Sequence, residues 1–146
     1  MTQETTSASA ASWAILGLKY KEELRYEEAL DALSAARLHL LADIGDCLAN
    51  LGRLEEAGFL YSDILDSNPA DFRANMGMGV VNILTNNHAA AGEAFSKVLS
   101  IDSADPKALC GLGMARCAQG RNAEGFELYG RALEAEPENL TAVHES

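Results

Sequence analysis

The sequence has few of the cysteines on which disulfide-bonded proteins rely. Its 146 residues include only three, an odd number that does not make a disulfide framework. Cys110 and Cys117 lie seven residues apart, which on one helix is about 10.5 Å of rise and too far for a disulfide bond. We expect free thiols that pack as small apolar side chains in a reducing compartment.

Long apolar runs are also missing. No segment approaches the roughly 20 apolar residues of a membrane helix. Residues 1–12 have neither the basic start nor the apolar region of a signal peptide. We therefore expect no membrane insertion and a cytoplasmic location.

Basic residues are scarce as well. Eleven Lys and Arg residues stand against 22 Asp and Glu residues, which gives a formal net charge of -11. This charge repels phosphate backbones and anionic lipids, so we expect no nucleic-acid partner and no docking on an anionic membrane. Apolar residues make up 48% of the chain, enough for a continuous core in a single domain.

The chain does contain an internal repeat. Three sets of residues recur at a spacing of 34: Gly45, Gly79 and Gly113; Tyr61, Phe95 and Tyr129; Pro69, Ser103 and Pro137. A fixed period of this length predicts stacked repeats, each a supersecondary unit that packs against its neighbours.

Each unit reads as two helices, because its apolar residues recur at helical spacing and no strand pattern persists. Turns fall at Gly52, at Thr85–Asn87 and at Gly120, and Pro106 suits the start of a helix. The sequence thus predicts an all-α fold with a flexible tail at 1–9 and one domain at 10–146. Its predicted units are 10–37, 38–71, 72–105 and 106–139, and residues 140–146 begin a further or capping helix.

Helix pairs of 34 residues resemble tetratricopeptide repeats. The last unit matches that pattern with Leu109, Leu112, Gly113, Gly125, Tyr129, Ala132 and Pro137, and the first with Trp13, Leu16, Gly17, Tyr20 and Ala29. The resemblance implies an α-solenoid, a right-handed superhelix of antiparallel helix pairs. Glycine at the eighth position of each unit and a small residue at the twentieth would let paired helices approach closely. The aromatic residue at the twenty-fourth position would fill the space below them.

The first unit departs from this period. Gly17 and Gly45 are 28 residues apart rather than 34, so the six residues that usually separate two units are missing. We expect either a tight link around Arg37–Leu40 or a first helix pair packed at a different angle.

No arrangement of residues indicates catalysis. Asp43 and Asp46 could form a carboxylate pair on one helix, but neither a nucleophile nor an oxyanion donor lies near them in the sequence. The Gly-x-Gly pairs at Gly77 and Gly111 lie inside helices, which indicates packing rather than phosphate binding. The three histidines fall in different units and lack metal-ligand spacing. We predict a protein that is not an enzyme and that uses no cofactor and no metal.

The resemblance implies a concave groove lined by the first helix of each unit, which takes a protein or peptide ligand. The repeat positions that face such a groove hold Asp43, Asp46, Asn50, Arg73, Met76, Val80, Ile83, Lys107, Cys110, Met114 and Cys117. Equivalent positions hold Ala14, Leu18, Lys21, His39, Ala42 and Ala49. The centre of the set is apolar, the two aspartates would form an acidic end, and Arg73 with Lys107 a basic margin.

One subtype of the family clamps a chaperone's terminal carboxylate with Lys, Asn and Arg side chains. Here Ala14, Leu18 and Asp43 stand at clamp positions and only Lys107 fits, so the sequence predicts no such clamp. The leading interpretation is a non-catalytic scaffold that binds a peptide or protein segment in a largely apolar groove.

Three alternatives stay open at this point. Part of the apolar stripe could pack within the chain itself. The chain could form a homo-oligomer through its C-terminal end, where the unfinished repeat would leave apolar residues uncovered: Leu128, Ala132, Leu133, Leu140 and Val143. It could also be a secretion-type chaperone or an accessory domain of a larger protein, and its abrupt end fits a chain cut from a longer one.

Overall fold

The computed structural model describes residues 9–23 and 25–135, and this part of the chain contains seven α-helices and no strand. In chain order they are α1 Ala10–Glu22, α2 Tyr26–Asn50, α3 Leu54–Ser67, α4 Phe72–Leu84, α5 His88–Ile101, α6 Pro106–Ala118 and α7 Asn122–Ala135. The predicted all-α fold is confirmed. The predictions for residues 1–8 and 136–146 lie outside the described residues.

The turns between paired helices lie where the repeat predicted them. Gly52, Asn86 and Gly120 have φ angles of 80°, 63° and 82°, the left-handed region that glycine and asparagine tolerate best. The carboxylates of Asp71 and Asp105 accept hydrogen bonds from the first turns of α4 and α6, and so fix where the third and fourth units begin.

The core consists of two clusters, and each joins the second helix of one unit to the first helix of the next. In the first, Tyr61 and Ile64 of α3 pack with Val81 of α4. In the second, Phe95 of α5 packs with Leu112 of α6. The small residues Ala29, Ala57, Ala91 and Gly125 at the twentieth position are all buried, as predicted. The stack is therefore held by contacts between neighbouring units.

Glycines on both sides make room for the buried aromatic rings. A Cβ atom at Gly45 would lie 2.9 Å from Tyr61, and one at Gly79 would lie 2.6 Å from Phe95. Gly77 and Gly111, in the following units, would also overlap these two rings if they carried a Cβ atom. Since such distances are far shorter than van der Waals contact, only glycine allows these helices to approach so closely.

The first unit is built differently. Residues Arg37–Leu40 are helical, so the predicted link there is wrong: the second helix of the first unit and the first helix of the second unit form one helix, α2, of 25 residues. The six residues that would stop the helix are absent, and the Arg-Leu-His-Leu sequence contains no helix breaker. This helix is about 37 Å long.

The two ends of α2 bind different helices on roughly opposite faces. Gly17 of α1 packs against Ala29 and Leu33, whereas Gly45 packs against Tyr61 of α3. At about 100° per residue, Ala29 and Leu33 point to one side of α2 and Gly45 points to roughly the opposite side. Among the described elements α1 contacts only α2, so the first helix pair projects from the stack instead of packing on α3.

Candidate functional site

A groove of about 880 Å³ runs along the first helices of the second, third and fourth units, α2, α4 and α6. Its walls are mainly apolar, with Met76, Val80 and Ile83 from α4 and Met114 from α6. Val80 and Met114 are about half exposed, because α4 and α6 need only their other faces to pair with α5 and α7. The groove thus offers apolar side chains to a ligand without loss of core packing.

Nine of the eleven residues predicted from repeat position lie around this groove: Asp46, Asn50, Arg73, Met76, Val80, Ile83, Lys107, Cys110 and Met114. The fixed period explains this clustering, because residues at one repeat position fall on one side of the stack. That they contact a ligand stays a prediction.

Of the equivalent positions, Ala49 also lines the groove, and the remaining predicted positions lie elsewhere. Asp43 binds Arg73 at the edge of the groove, 2.9 Å from its Nη2 atom. Cys117 faces α7, since a Cβ atom at Gly125 would overlap its sulfur. Ala42 is only 3% exposed and belongs to the first core cluster, so its prediction as a groove residue is wrong. Ala14, Leu18 and Lys21 lie on α1, outside the groove.

Two aromatic rings, assigned to the scaffold from the sequence, form the floor of the groove. Tyr61 and Phe95 are each 2% exposed and lie beneath Gly77 and Gly111. The signal was available in the sequence: these two glycines recur at a spacing of 34, at the sixth position of their units. They bring the helix backbone close to the rings and make the floor rigid.

The charges at the first end of the groove are paired: one guanidinium binds two carboxylates, which leaves one negative charge in excess. The guanidinium of Arg73 donates hydrogen bonds to Asp46 at 2.6 Å and to Asp43 at 2.9 Å. The hydroxyl of Tyr61 donates to the other oxygen of Asp46 at 2.5 Å. The predicted acidic end and the Arg73 part of the basic margin are therefore one ion-paired cluster. Burial, with the hydrogen bond to Asp46, raises the pKa of Tyr61 above its usual value of 10.0.

Lys107 differs from the other charged residues of the groove. It is exposed at the start of α6, and no carboxylate of the described residues lies within 4.0 Å of it. The nearby Asp105 carboxylate already accepts the backbone N–H of Ala108. Lys107 can therefore pair with an anionic group supplied by a ligand.

Other kinds of site find less support. No group of three or more His, Cys, Asp or Glu side chains within residues 9–23 and 25–135 is placed to hold a metal ion. In the same part of the chain, no helix combines the length and apolar character needed to cross a membrane. Of the residues predicted for C-terminal assembly, Ala132 is buried, Leu128 packs on the second core cluster and Leu133 is about half exposed. Leu140 and Val143 lie outside the described residues.

Comparisons with known proteins agree with this architecture. A family model described as tetratricopeptide repeat matches residues 38–71, and a second model with the same description matches residues 60–108. No curated protein matches the sequence.

Several solved structures share the fold. One is the first TPR of Spaghetti (RPAP3) bound to HSP90 peptide SRMEEVD, with a TM-score of 0.67 and 24% identity over 74% of this chain and 86% of that chain. Another is MamA 41-end from Desulfovibrio magneticus RS-1, with a TM-score of 0.65 and 25% identity over 90% of this chain and 78% of that one. A tetratricopeptide repeat protein from Parabacteroides merdae has a TM-score of 0.63 and 22% identity, over 88% of this chain and 52% of that chain.

The repeat models cover the second and third units, and the structural matches extend the same helix-pair architecture over most of the chain. This chain contains tetratricopeptide repeats, matched over residues 38–108, and has the fold of tetratricopeptide repeat proteins.

Proposed function

We propose that the protein is a non-catalytic interaction module whose groove binds a peptide segment with apolar side chains and an acidic group. The observation that carries this proposal is the groove itself: half-exposed Val80 and Met114 stand above a floor of buried aromatic rings, and Lys107 on one wall has no ion-pair partner among the described residues. Apolar side chains of the ligand would fill the space between α4 and α6, where methionine adapts to different shapes.

Lys107 supports the choice of an acidic group on the ligand. Arg73 is already paired with two carboxylates, so it contributes little attraction for an anionic group of the ligand. Lys107 has no such partner among the described residues. A carboxylate of the ligand near this side chain would gain a charge-assisted hydrogen bond and fix the orientation of the segment.

The structural relative bound to an HSP90 peptide supports peptide binding in general and not that particular ligand. Of the carboxylate-clamp positions, this chain fills only Lys107, and Asp43 at another of them is bound to Arg73. We therefore expect recognition to depend on apolar side chains more than on a terminal carboxylate. A role as a secretion-type chaperone or as an accessory domain stays a prediction.

Selection from a random peptide display library on the immobilised protein tests the proposal. Selected peptides are then titrated by fluorescence anisotropy against the wild-type chain and two variants, Val80→Glu and Met114→Glu. Each variant places a charge among apolar contacts and should weaken binding by about tenfold or more. Phe59→Glu is the matched control, because Phe59 is exposed on α3 and lies outside the groove.

Circular dichroism establishes that the variants keep their helical content. Lys107→Gln should weaken binding of the acidic peptides several-fold and reduce the dependence of their affinity on salt. Selected peptides that bind Val80→Glu and Met114→Glu as tightly as the wild type would refute the groove as the binding site.

A further inference from the structure

The long helix α2 and its C-cap residue Leu51 carry a stripe that the described residues leave largely exposed, with contacts from Gly17 to Leu33 and from Asp63 to Arg37. Its members alternate at spacings of four and three: Tyr26, Leu30, Leu33, Arg37, Leu40, Ile44, Cys47 and Leu51. We call these eight residues the α2 seam. Its six large apolar side chains are between 37% and 70% exposed, and Cys47 is exposed as well. This alternation is the heptad pattern of a coiled-coil seam, with Arg37 as its one charged position.

The C-terminal half of the seam is open because its usual cover is missing. Leu40, Ile44 and Cys47 occupy the third, seventh and tenth positions of the second unit. In the fourth unit the same positions hold Ala108, Leu112 and Ala115, which are at most 8% exposed. There the second helix of the preceding unit covers them. In the second unit that preceding helix is the N-terminal half of α2 itself, and one straight helix cannot fold onto its own continuation.

The N-terminal half of α2 has the residues that would form this cover. Leu33 occupies the twenty-fourth position of its unit, which Phe95 occupies in the third unit. Phe95 packs with Leu112, a residue at the seventh position, in the second core cluster. The equivalent contact would join Leu33 to Ile44. Both residues lie on the same face of α2, so they can meet only if each comes from a different copy of the chain.

We propose that the protein forms an antiparallel two-fold dimer through the α2 seam. The N-terminal half of α2 in each copy then serves as the second helix that is missing before the other copy's second unit. A two-fold axis between positions 38 and 39 pairs Leu33 with Ile44, Leu30 with Cys47, Tyr26 with Leu51 and Arg37 with Leu40. Every member of the seam has a partner, as a self-complementary two-fold interface requires.

The repeat register selects this alignment among those that the heptad pattern allows. The heptad spacing permits several antiparallel registers, which differ by shifts of seven residues. The repeat register pairs the twenty-fourth position with the seventh, as Phe95 and Leu112 are paired in the stack, and so selects the one that places Leu33 opposite Ile44. In that register every member of the seam meets another member of the same seam, which favours a second copy as the occupant.

The charge of Arg37 also selects the antiparallel arrangement. A parallel pair would place Arg37 of both copies in one layer, where like charges repel. The antiparallel pair places Arg37 against Leu40, where its methylene groups cover an apolar side chain. Its guanidinium is already bound to Asp63 of its own copy at 3.0 Å, so no unpaired charge is buried. The opposed dipoles of the two helices add a favourable contribution.

The seam is large enough for a dimer of ordinary size. The six apolar side chains each expose on the order of 100 Å², which gives roughly 600 Å² per copy before the flanking atoms are counted. A standard specific interface buries about 800 Å² per partner.

Light scattering after gel filtration of the full chain, over a wide concentration range, tests the proposal. The wild type should form dimers as its concentration rises. Ile44→Glu and Leu30→Glu should each raise the dissociation constant of the dimer about a hundredfold or more, because the symmetric interface receives the new charge twice. Phe59→Glu, an exposed apolar residue outside the seam, should leave it unchanged.

A wild type that stays monomeric at every concentration overturns the proposal. So does a dimer that both seam variants retain while circular dichroism shows them folded. Oxidation of a chain in which Cys110 and Cys117 are replaced by alanine tests the alignment. Leu30→Cys should then cross-link to Cys47 of the second copy, whereas Cys47 alone should not cross-link. Cross-linking through Cys47 alone indicates a parallel pair and contradicts the proposed alignment.

Discussion

The first helix pair and the stack that follows it are made from the same repeat and yet pack in different ways. In the stack, α3 to α7, the aromatic residues Tyr61 and Phe95 at the twenty-fourth position are enclosed between helices of two units. In the first pair that position holds Leu33, which contacts α1 on one side and remains partly open on the other. The loss of six residues between two units thus converts an internal contact into an exposed surface.

Under the proposed function, this difference divides the roles of the two regions. The stack has the buried aromatic floor and the half-exposed side chains of the proposed groove. The first pair contributes nothing to that groove and instead leaves the α2 seam open. Replacements at equivalent positions of the two regions should therefore have unequal effects.

The largest difference in the free energy of unfolding between the two regions is expected for replacements at the twenty-fourth position. Phe95→Ala should reduce the free energy of unfolding by about 3–5 kcal/mol, because it empties a core site between α5 and α6. Leu33→Ala should cost about 1 kcal/mol when measured in the Ile44→Glu background, where the α2 seam remains open. Urea denaturation measures both. Equal losses at the two positions would mean that the first pair is packed as tightly as the stack.

A smaller difference in stability between the two regions is expected when helical glycines are replaced by alanine. Gly111→Ala should destabilise the protein by about 1–3 kcal/mol, because the new methyl group overlaps the buried ring of Phe95. Gly17→Ala meets the partly exposed side chain of Leu33, which can turn away, so its effect should be close to zero. Gly130→Ala is the control: nothing lies near that position, and the helix should gain about 1 kcal/mol. Thermal denaturation of the three variants measures their stabilities and checks this ranking.

The two aspartates of the ion-paired cluster should contribute unequally to stability. Asp46→Ala removes the acceptor of the buried Tyr61 hydroxyl and should cost about 1–3 kcal/mol. Asp43→Ala removes only an exposed ion pair with Arg73 and should cost less than about 1 kcal/mol. Denaturant unfolding compares the two. If Asp43→Ala proves the more costly, the cluster depends on Arg73 rather than on Tyr61.

The smallest expected effect depends on pH. Because the folded-state pKa of Tyr61 lies above its usual value of 10.0, the stability it contributes is complete below that pH and declines above it. The urea midpoint should therefore fall as the pH rises above about 10, and Tyr61→Phe should reduce that fall. Burial, together with Cys117, also raises the pKa of Tyr129, so a part of the fall should remain. An identical pH profile in Tyr61→Phe would contradict this assignment.

Much of the fold was predictable, since a 34-residue period sets the helices, the turns at Gly52, Asn86 and Gly120, and the side of the stack on which the groove lies. The continuous helix α2 was not predicted, because the shortened repeat was interpreted as a tight link or as a first helix pair packed at a different angle. Only the absence of a helix breaker at 37–40 favours a continuous helix. The pairing of Arg73 with Asp46 and Asp43 depends on side-chain directions across two units, which repeat positions alone do not provide.

The proposed separation of roles is tested most directly by nuclear magnetic resonance of the wild-type chain titrated with a selected peptide. We expect the backbone amide shifts of α4 and α6 to change, most strongly near Gly77, Val80, Gly111 and Met114. The shifts of α1 and of the first half of α2 should stay unchanged. Shift changes concentrated on Ile15, Leu18 and Leu30 would contradict it, because the ligand would then bind the projecting helix pair and not the groove.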